Sequence, residues 1–315
     1  MIRARPGRSR TVLGVLPFSV QQSGHRLYYQ DVGPTDGPVV VLVHGLVSDS
    51  STWAPAIAAL ADRGMRVIAP DLLGHGVSDK PPSTPAYYSL DGFARSVRDL
   101  LVALDIPRAT LVGHSLGGAI AGHVAYHYPE HVERLVLIAA GGLGKDVHLA
   151  LRAAAVPGSS LVLRLFVNRA TLGIARWLRL HRVFRLPPAV VTNLHRAFGG
   201  LAHPAGRAAF FASLRSVIAP SGQRGSLIEM RYLVDHVPTL IAWSEHDHVI
   251  PVSHARALHE HLPSSRLVLF PGASHQPHYR HAEDLADAVA EFLSSTAPAI
   301  APARSPRISV SSAAT

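Results

Sequence analysis

Six short runs of aliphatic, largely β-branched residues recur along this chain, at Val39 to Val43, Arg66 to Ala69, Thr110 to Gly113, Leu135 to Ala139, Thr239 to Trp243 and Leu267 to Phe270. Helical patterns follow all but one of them, at Ala54 to Ala61, Leu90 to Leu104, Leu116 to Tyr128, Ser253 to His261 and Ala282 to Leu293. Strand and helix in alternation predict an α/β fold, a mostly parallel twisted sheet with crossover helices on both faces. One interval breaks the rhythm. Between Ala139 and Thr239 about a hundred residues of helical, arginine-studded sequence intervene, where a βα unit returns within a few tens. The expectation is a helical cap at 146–236 inserted between two parts of one core domain, 21–145 and 237–296. Strand carboxyl ends then face the cap, where open α/β sheets bind ligands.

The remaining segments are tails. Residues 1–20 hold Arg3, Arg5, Arg8 and Arg10 before the apolar stretch Thr11 to Val20. This imitates a signal peptide poorly, because Pro17 interrupts it and no small-x-small site follows, so the chain reads as cytoplasmic rather than secreted. Residues 297–315 are rich in Ala, Pro and Ser and are expected to be disordered. No apolar run reaches the roughly 18 residues a membrane-spanning helix needs.

Composition closes off several chemistries. The 315 residues include no cysteine, which removes disulfides, thiolate metal sites and thiol catalysis. Apolar residues make up 48% and charged ones 16%, a balance that packs rather than stays solvated. The net charge of +9 is localised, since twelve arginines face three acids between Asp146 and His236 and the rest of the chain is neutral.

Gly113-His114-Ser115-Leu116-Gly117-Gly118 joins a strand to a helix, the setting a G-x-S-x-G nucleophile elbow requires. Such a turn holds its serine in a strained backbone, and Gly113 and Gly117 supply the room two residues either side. The N–H of Leu116, opening the helix, is one candidate oxyanion donor. His44-Gly45-Leu46 ends an earlier strand, and the N–H of Leu46 is the second, with Gly45 allowing close backbone approach. His44 reads as a structural hydrogen-bonding residue.

A serine hydroxyl needs a base within reach, and the base needs a carboxylate to fix its tautomer. In the order Ser, acid, His, the loops past the last two strands offer Asp247 and His275. Glu245 and Asp146 are the competing acids, and His278 and His281 read as bystanders. The catalytic assignment is therefore Ser115, Asp247 and His275.

With these residues in place the chain resembles the α/β-hydrolase superfamily, in its capped serine-hydrolase branch, over roughly residues 25 to 295. Pro70-Asp71-Leu72-Leu73-Gly74-His75-Gly76-Val77-Ser78-Asp79 is similar to a mainly structural loop of that family, and Trp53 sits where the family often has an aromatic. Ser244 and Ser274 depart from glycines the family favours. The resemblance implies a lipase-like serine esterase acting through an acyl-enzyme on a carboxylic ester with a hydrophobic part. It also admits a carbon–carbon bond hydrolase of ring-cleavage products, an acyltransferase or perhydrolase, or a receptor without turnover. Serine at 115 disfavours the dehalogenases and epoxide hydrolases, which use aspartate.

No cofactor is expected, because neither a dinucleotide fingerprint nor a P-loop is present. No metal is expected either: His123 and His127 are one helical turn apart, and His246/His248 and His259/His261 are spaced pairs, but none shows a third ligand at a matching distance. No nucleic-acid motif accompanies the basic charge. In Ile174 to Leu186, Arg176, Arg179, Arg182 and Arg185 flank a stripe of Trp177, Leu180 and Phe184, so peripheral contact of the cap with an anionic membrane is an expectation alongside simple packing on the core.

Overall fold

The computed structural model describes residues 18–166, 200–224, 236–272 and 274–300. Its sheet contains β1 (Phe18–Gln22), β2 (His25–Val32), β3 (Val39–Val43), β4 (Arg66–Pro70), β5 (Ala109–His114), β6 (Val132–Ile138), β9 (Thr239–Ser244) and β10 (Arg266–Phe270). Their spatial order is β1-β2-β4-β3-β5-β6-β9-β10, antiparallel at β1-β2 and β2-β4 and parallel from β4 onward. All six strands read from the sequence are present. The hairpin β1-β2 was not read, because its polar alternation hides the strand pattern. Ser23 and Gly24, both at positive φ, make its two-residue turn and pair Gln22 with His25. Phe18 to Val20, inside the segment expected as a tail, thus belongs to the sheet.

Period-two alternation in β3 shows how the layers form. Val41 and Val43 pack with Phe93, Leu100, Ile120 and Val124 of α3 (Leu90–Ala103) and α4 (Leu116–His127). Val40 and Leu42 pack on the opposite face with Ile57 and Leu60 of α1 (Ala54–Asp62) and with Val289 and Phe292 of α10 (Ala282–Ser295). A strand covered on both faces has no polar side to show, hence its unbroken apolar run. Beside β9, Ile241 and Trp243 share a third cluster with Leu258 of α8 (Ser253–His261).

Register brings the site together. Val43 pairs with Gly113, His114 with Ile138, Ile138 with Ala242 and Ser244 with Phe270, so five parallel strands end at one level. Loops that leave these ends must meet, although they are far apart in sequence. Between β6 and β9 the described residues hold α5 (Leu149–Ala155), α6 (Ser159–Phe166), α7 (Pro204–Val217) and a small hairpin of β7 (Ile218–Ala219) and β8 (Gly222–Gln223). The arginine-rich segment 174–186 lies outside the described residues. No helix among the described residues is long and apolar enough to cross a membrane. At the far end, Ala299 is buried and donates its N–H to the Glu133 carbonyl at 2.9 Å. The expected tail therefore packs against the core as far as Ala299, with Ile300 exposed; residues 301–315 lie outside the described residues.

The 70–79 loop is fixed by one carboxylate. Asp71 accepts from the N–H of Ser50 through Oδ1 and from that of Val77 through Oδ2, both at 2.8 Å. Gly76, at φ +48°, leaves that carboxylate room, since a Cβ there would stand 2.0 Å from Asp71 Oδ2. Replacing Asp71 with alanine strands two amide donors, and a chemical-denaturation measurement should show a loss of about 3 kcal/mol. A loss below about 0.5 kcal/mol, the level of a neutral surface change, would contradict this role.

Candidate active site

Ser115 stands at the turn between β5 and α4 with φ +55° and ψ −117°. A non-glycine residue there is strained and persists only where its neighbours hold it. Three contacts do so: the Ser115 N–H donates to the Ile138 carbonyl at 3.0 Å, and its own carbonyl accepts from Gly118 at 3.0 Å and Gly141 at 2.9 Å. The glycines are required by space. A Cβ on Gly117 would lie 2.0 Å from the Val43 carbonyl oxygen, and one on Gly113 would lie 2.2 Å from the Gly117 carbonyl oxygen. Close approach of β3, β5 and α4 therefore aims Ser115 into a cavity.

That cavity has a volume of about 200 Å³ and is mostly apolar. Ser115, Leu46, Leu116 and His275 line it, together with Val217 and Arg224 from the segment between β6 and β9. His275 Nδ1 donates to Asp247 Oδ2 at 2.8 Å, and Asp247 Oδ1 accepts from the N–H groups of Val249 at 2.8 Å and Ile250 at 3.0 Å. The Asp247 side chain is fully buried and that of His275 is 16% exposed. A carboxylate with both oxygens occupied by oriented donors cannot swing away. Its bond to Nδ1 directs Nε2 as the free acceptor of the neutral ring.

The competing acids lie elsewhere. Glu245 is exposed, and Asp146, 81% exposed, faces His254 at 3.7 Å. His44 has the structural bonds expected of it: Nδ1 donates to the Gly45 carbonyl at 2.8 Å, and Nε2 accepts the Leu72 N–H at 3.0 Å. His75 Nε2 donates to the Leu46 carbonyl at 2.9 Å, so the loop after β3 is held from two sides. Ser244 is buried and Ser274 exposed.

Three contributors escaped the sequence reading. His114, the variable residue of the elbow, donates from Nε2 to the His275 carbonyl at 2.7 Å and so ties the elbow to the histidine loop. Gln223 accepts the Gly142 N–H at 2.7 Å and donates to the Asp146 carbonyl at 3.0 Å, pinning the chain after β6 to the small hairpin. His278, read as a bystander, is wholly buried, with its ring 4.2 Å from that of His114 and 4.3 Å from that of Trp53. Histidine is abundant in this chain, so only the spatial arrangement separates these rings from the solvated ones.

Burial keeps these imidazoles neutral. Desolvation, with the nearby rings, pushes His278 and His75 down to about 3 and holds His114 well below the usual imidazole range, and desolvation alone lowers His44. Such groups stay unprotonated in the folded chain but take up protons on unfolding below about pH 6.5. Stability is thus lost as pH falls from that value toward about 3, and is unaffected by these groups above it. His278→Phe keeps a ring packed against Trp53 and His114 and removes one such proton. Its plot of unfolding free energy against pH should be shallower by one proton between about pH 4 and 6; an unchanged slope would show that His278 is not held neutral.

Known proteins share this framework. The model of the family described as the alpha/beta hydrolase fold matches residues 38–282. A protein of Mycobacterium tuberculosis is 38% identical over 299 residues, covering 92% of this chain and 85% of that one. Among solved structures, a meta-cleavage product hydrolase from Pseudomonas fluorescens is 28% identical with a TM-score of 0.66, covering 88% of this chain and 97% of that one. A membrane phospholipase A described as a bacterial virulence factor is 25% identical with a TM-score of 0.68, covering 89% and 86%. Strand order, the turn at Ser115 and these likenesses agree, and the chain belongs to the α/β-hydrolase family.

Proposed function

We propose that this hydrolase cleaves a carboxylic ester with a hydrophobic acyl or alcohol part. The observation that carries the reading is the Asp247–His275 bond beside an apolar cavity into which a strained turn presents Ser115. His275 Nε2 takes the Ser115 proton as Oγ attacks the ester carbonyl, and Asp247 stabilises the imidazolium that results. The N–H groups of Leu46 and Leu116 receive the oxyanion, a contribution of about 3 kcal/mol for each donor in sites of this kind. His275 then returns the proton to the leaving alcohol, and a water that it activates releases the acid and regenerates the serine.

A carbon–carbon bond hydrolase is the second reading. It is favoured by the likeness to the meta-cleavage product hydrolase and by Arg224, a charge suited to an anionic substrate, on the cavity wall. The described part of the insertion supplies that wall, in keeping with the proposed cap at 146–236.

Turnover of p-nitrophenyl esters of graded chain length, beside a ring-cleavage dienone, separates the two. The ester reading expects the ester to be the better substrate by kcat/KM; a preference for the dienone would replace it with the second. Ser115→Ala and His275→Ala should lower kcat by about a thousandfold or more without unfolding the chain, and Asp247→Asn by a comparable factor through the wrong imidazole tautomer. Near-normal activity of Asp247→Asn, with loss in Glu245→Gln, would overturn the acid assignment.

A further inference from the structure

His123 and His127 lie one turn apart on the last turns of α4, and their spacing alone offered two metal ligands without a third. The fold supplies the third from another helix. Asp91 occupies the first turn of α3, whose start is fixed by the Ser89 hydroxyl accepting the Gly92 N–H at 3.0 Å. Its Oδ1 lies 3.1 Å from His123 Nδ1 and 3.1 Å from His127 Nε2. All three ligand atoms fall within 4.8 Å of one another. Two imidazoles on one helix face thus reach a common point, one through Nδ1 and the other through Nε2.

We propose that Asp91, His123 and His127 form a transition-metal site that fastens α3 to α4. A tetrahedral ion about 2.1 Å from each donor separates the donors by about 3.4 Å, so the two 3.1 Å spacings from Asp91 Oδ1 need to open by only a few tenths of an ångström, and the two imidazole nitrogens already lie within 4.8 Å of each other. Two imidazole nitrogens and one carboxylate oxygen suit Zn²⁺, Co²⁺, Ni²⁺ or Cu²⁺; Mg²⁺ and Ca²⁺ take oxygen donors. Side-chain exposures of 17% for His123, 38% for His127 and 61% for Asp91 leave a path for entry and room for water in the remaining coordination position.

The site touches the wall of the substrate cavity without entering it. Leu90, the neighbour of Asp91, and Ala119, one turn before His123, both line that cavity. An ion holding α3 to α4 would therefore stiffen the wall behind the elbow helix. The competing account is a carboxylate that hydrogen-bonds two imidazoles and no more, favoured by an acid at a helix start and histidines near a helix end. The two accounts differ in whether a metal displaces those protons.

The test titrates the whole chain with ZnCl₂ by calorimetry and with CoCl₂ by visible absorption, for the unaltered protein, Asp91→Asn and His127→Gln. The expected result is one tight equivalent, with Co²⁺ bands of low coordination number and a rise in thermal midpoint on adding Zn²⁺. Each variant should bind at least about tenfold more weakly, the cost of losing even an outer-shell partner. His127→Gln, exposed on the surface, should keep the circular dichroism and ester turnover of the unaltered chain. No stoichiometric binding, or equal binding by the variants, would overturn the site, the latter because other histidines would then hold the ion.

Discussion

The left-handed backbone at Ser115 is the constraint around which the described structure is arranged. A side chain at φ +55° is held only if the groups around it leave no relaxed alternative, and here they do not. β3 and α4 approach so closely that Gly117 and Val43 nearly touch through backbone atoms, while Ile138 and Gly141 fix the serine by its own N–H and carbonyl. The same approach places the loop after β3 beside the elbow. Strain at one residue and convergence of distant loops are thus consequences of one packing arrangement.

Support for the site comes mainly from groups without a part in the proposed chemistry. His114 joins the elbow to the backbone of the His275 loop, His44 and His75 hold the loop carrying Leu46, and Asp71 holds the loop that carries His75. Most of these are buried imidazoles kept neutral by desolvation, so each can donate from one nitrogen, and His44 also accepts at the other. A neutral ring that bridges two loops gives rigidity without bringing a second charge toward His275. Acid lability accompanies this arrangement, because every such ring is a proton acceptor only when the chain unfolds.

Local chemistry made much of this legible from residues alone. The elbow was readable because its glycines answer a steric demand at fixed offsets from Ser115, and Asp247 and His275 because parallel strands deliver functional loops from their carboxyl ends. The β1-β2 hairpin was not, since its strands alternate polar residues on a half-covered edge and its only sharp signal is Ser23-Gly24. His278 and Asp91 escaped for another reason: their importance lies in partners remote in sequence, His114 for the first and His123 with His127 for the second. The structure sets the acids apart in space, where Asp247 reaches His275 and Glu245 faces solvent.

The proposed nucleophile is open to one direct measurement, covalent capture by an alkyl fluorophosphonate followed by peptide mass mapping of the whole chain. A serine activated by the Asp247–His275 pair reacts at its Oγ, releases fluoride and leaves a single phosphonyl adduct. The account predicts that adduct on Ser115 and on no other serine, with loss of labelling when the protein is denatured first. Folded chain that hydrolyses esters yet carries no adduct on Ser115, or carries it on another serine, would contradict the account at its centre.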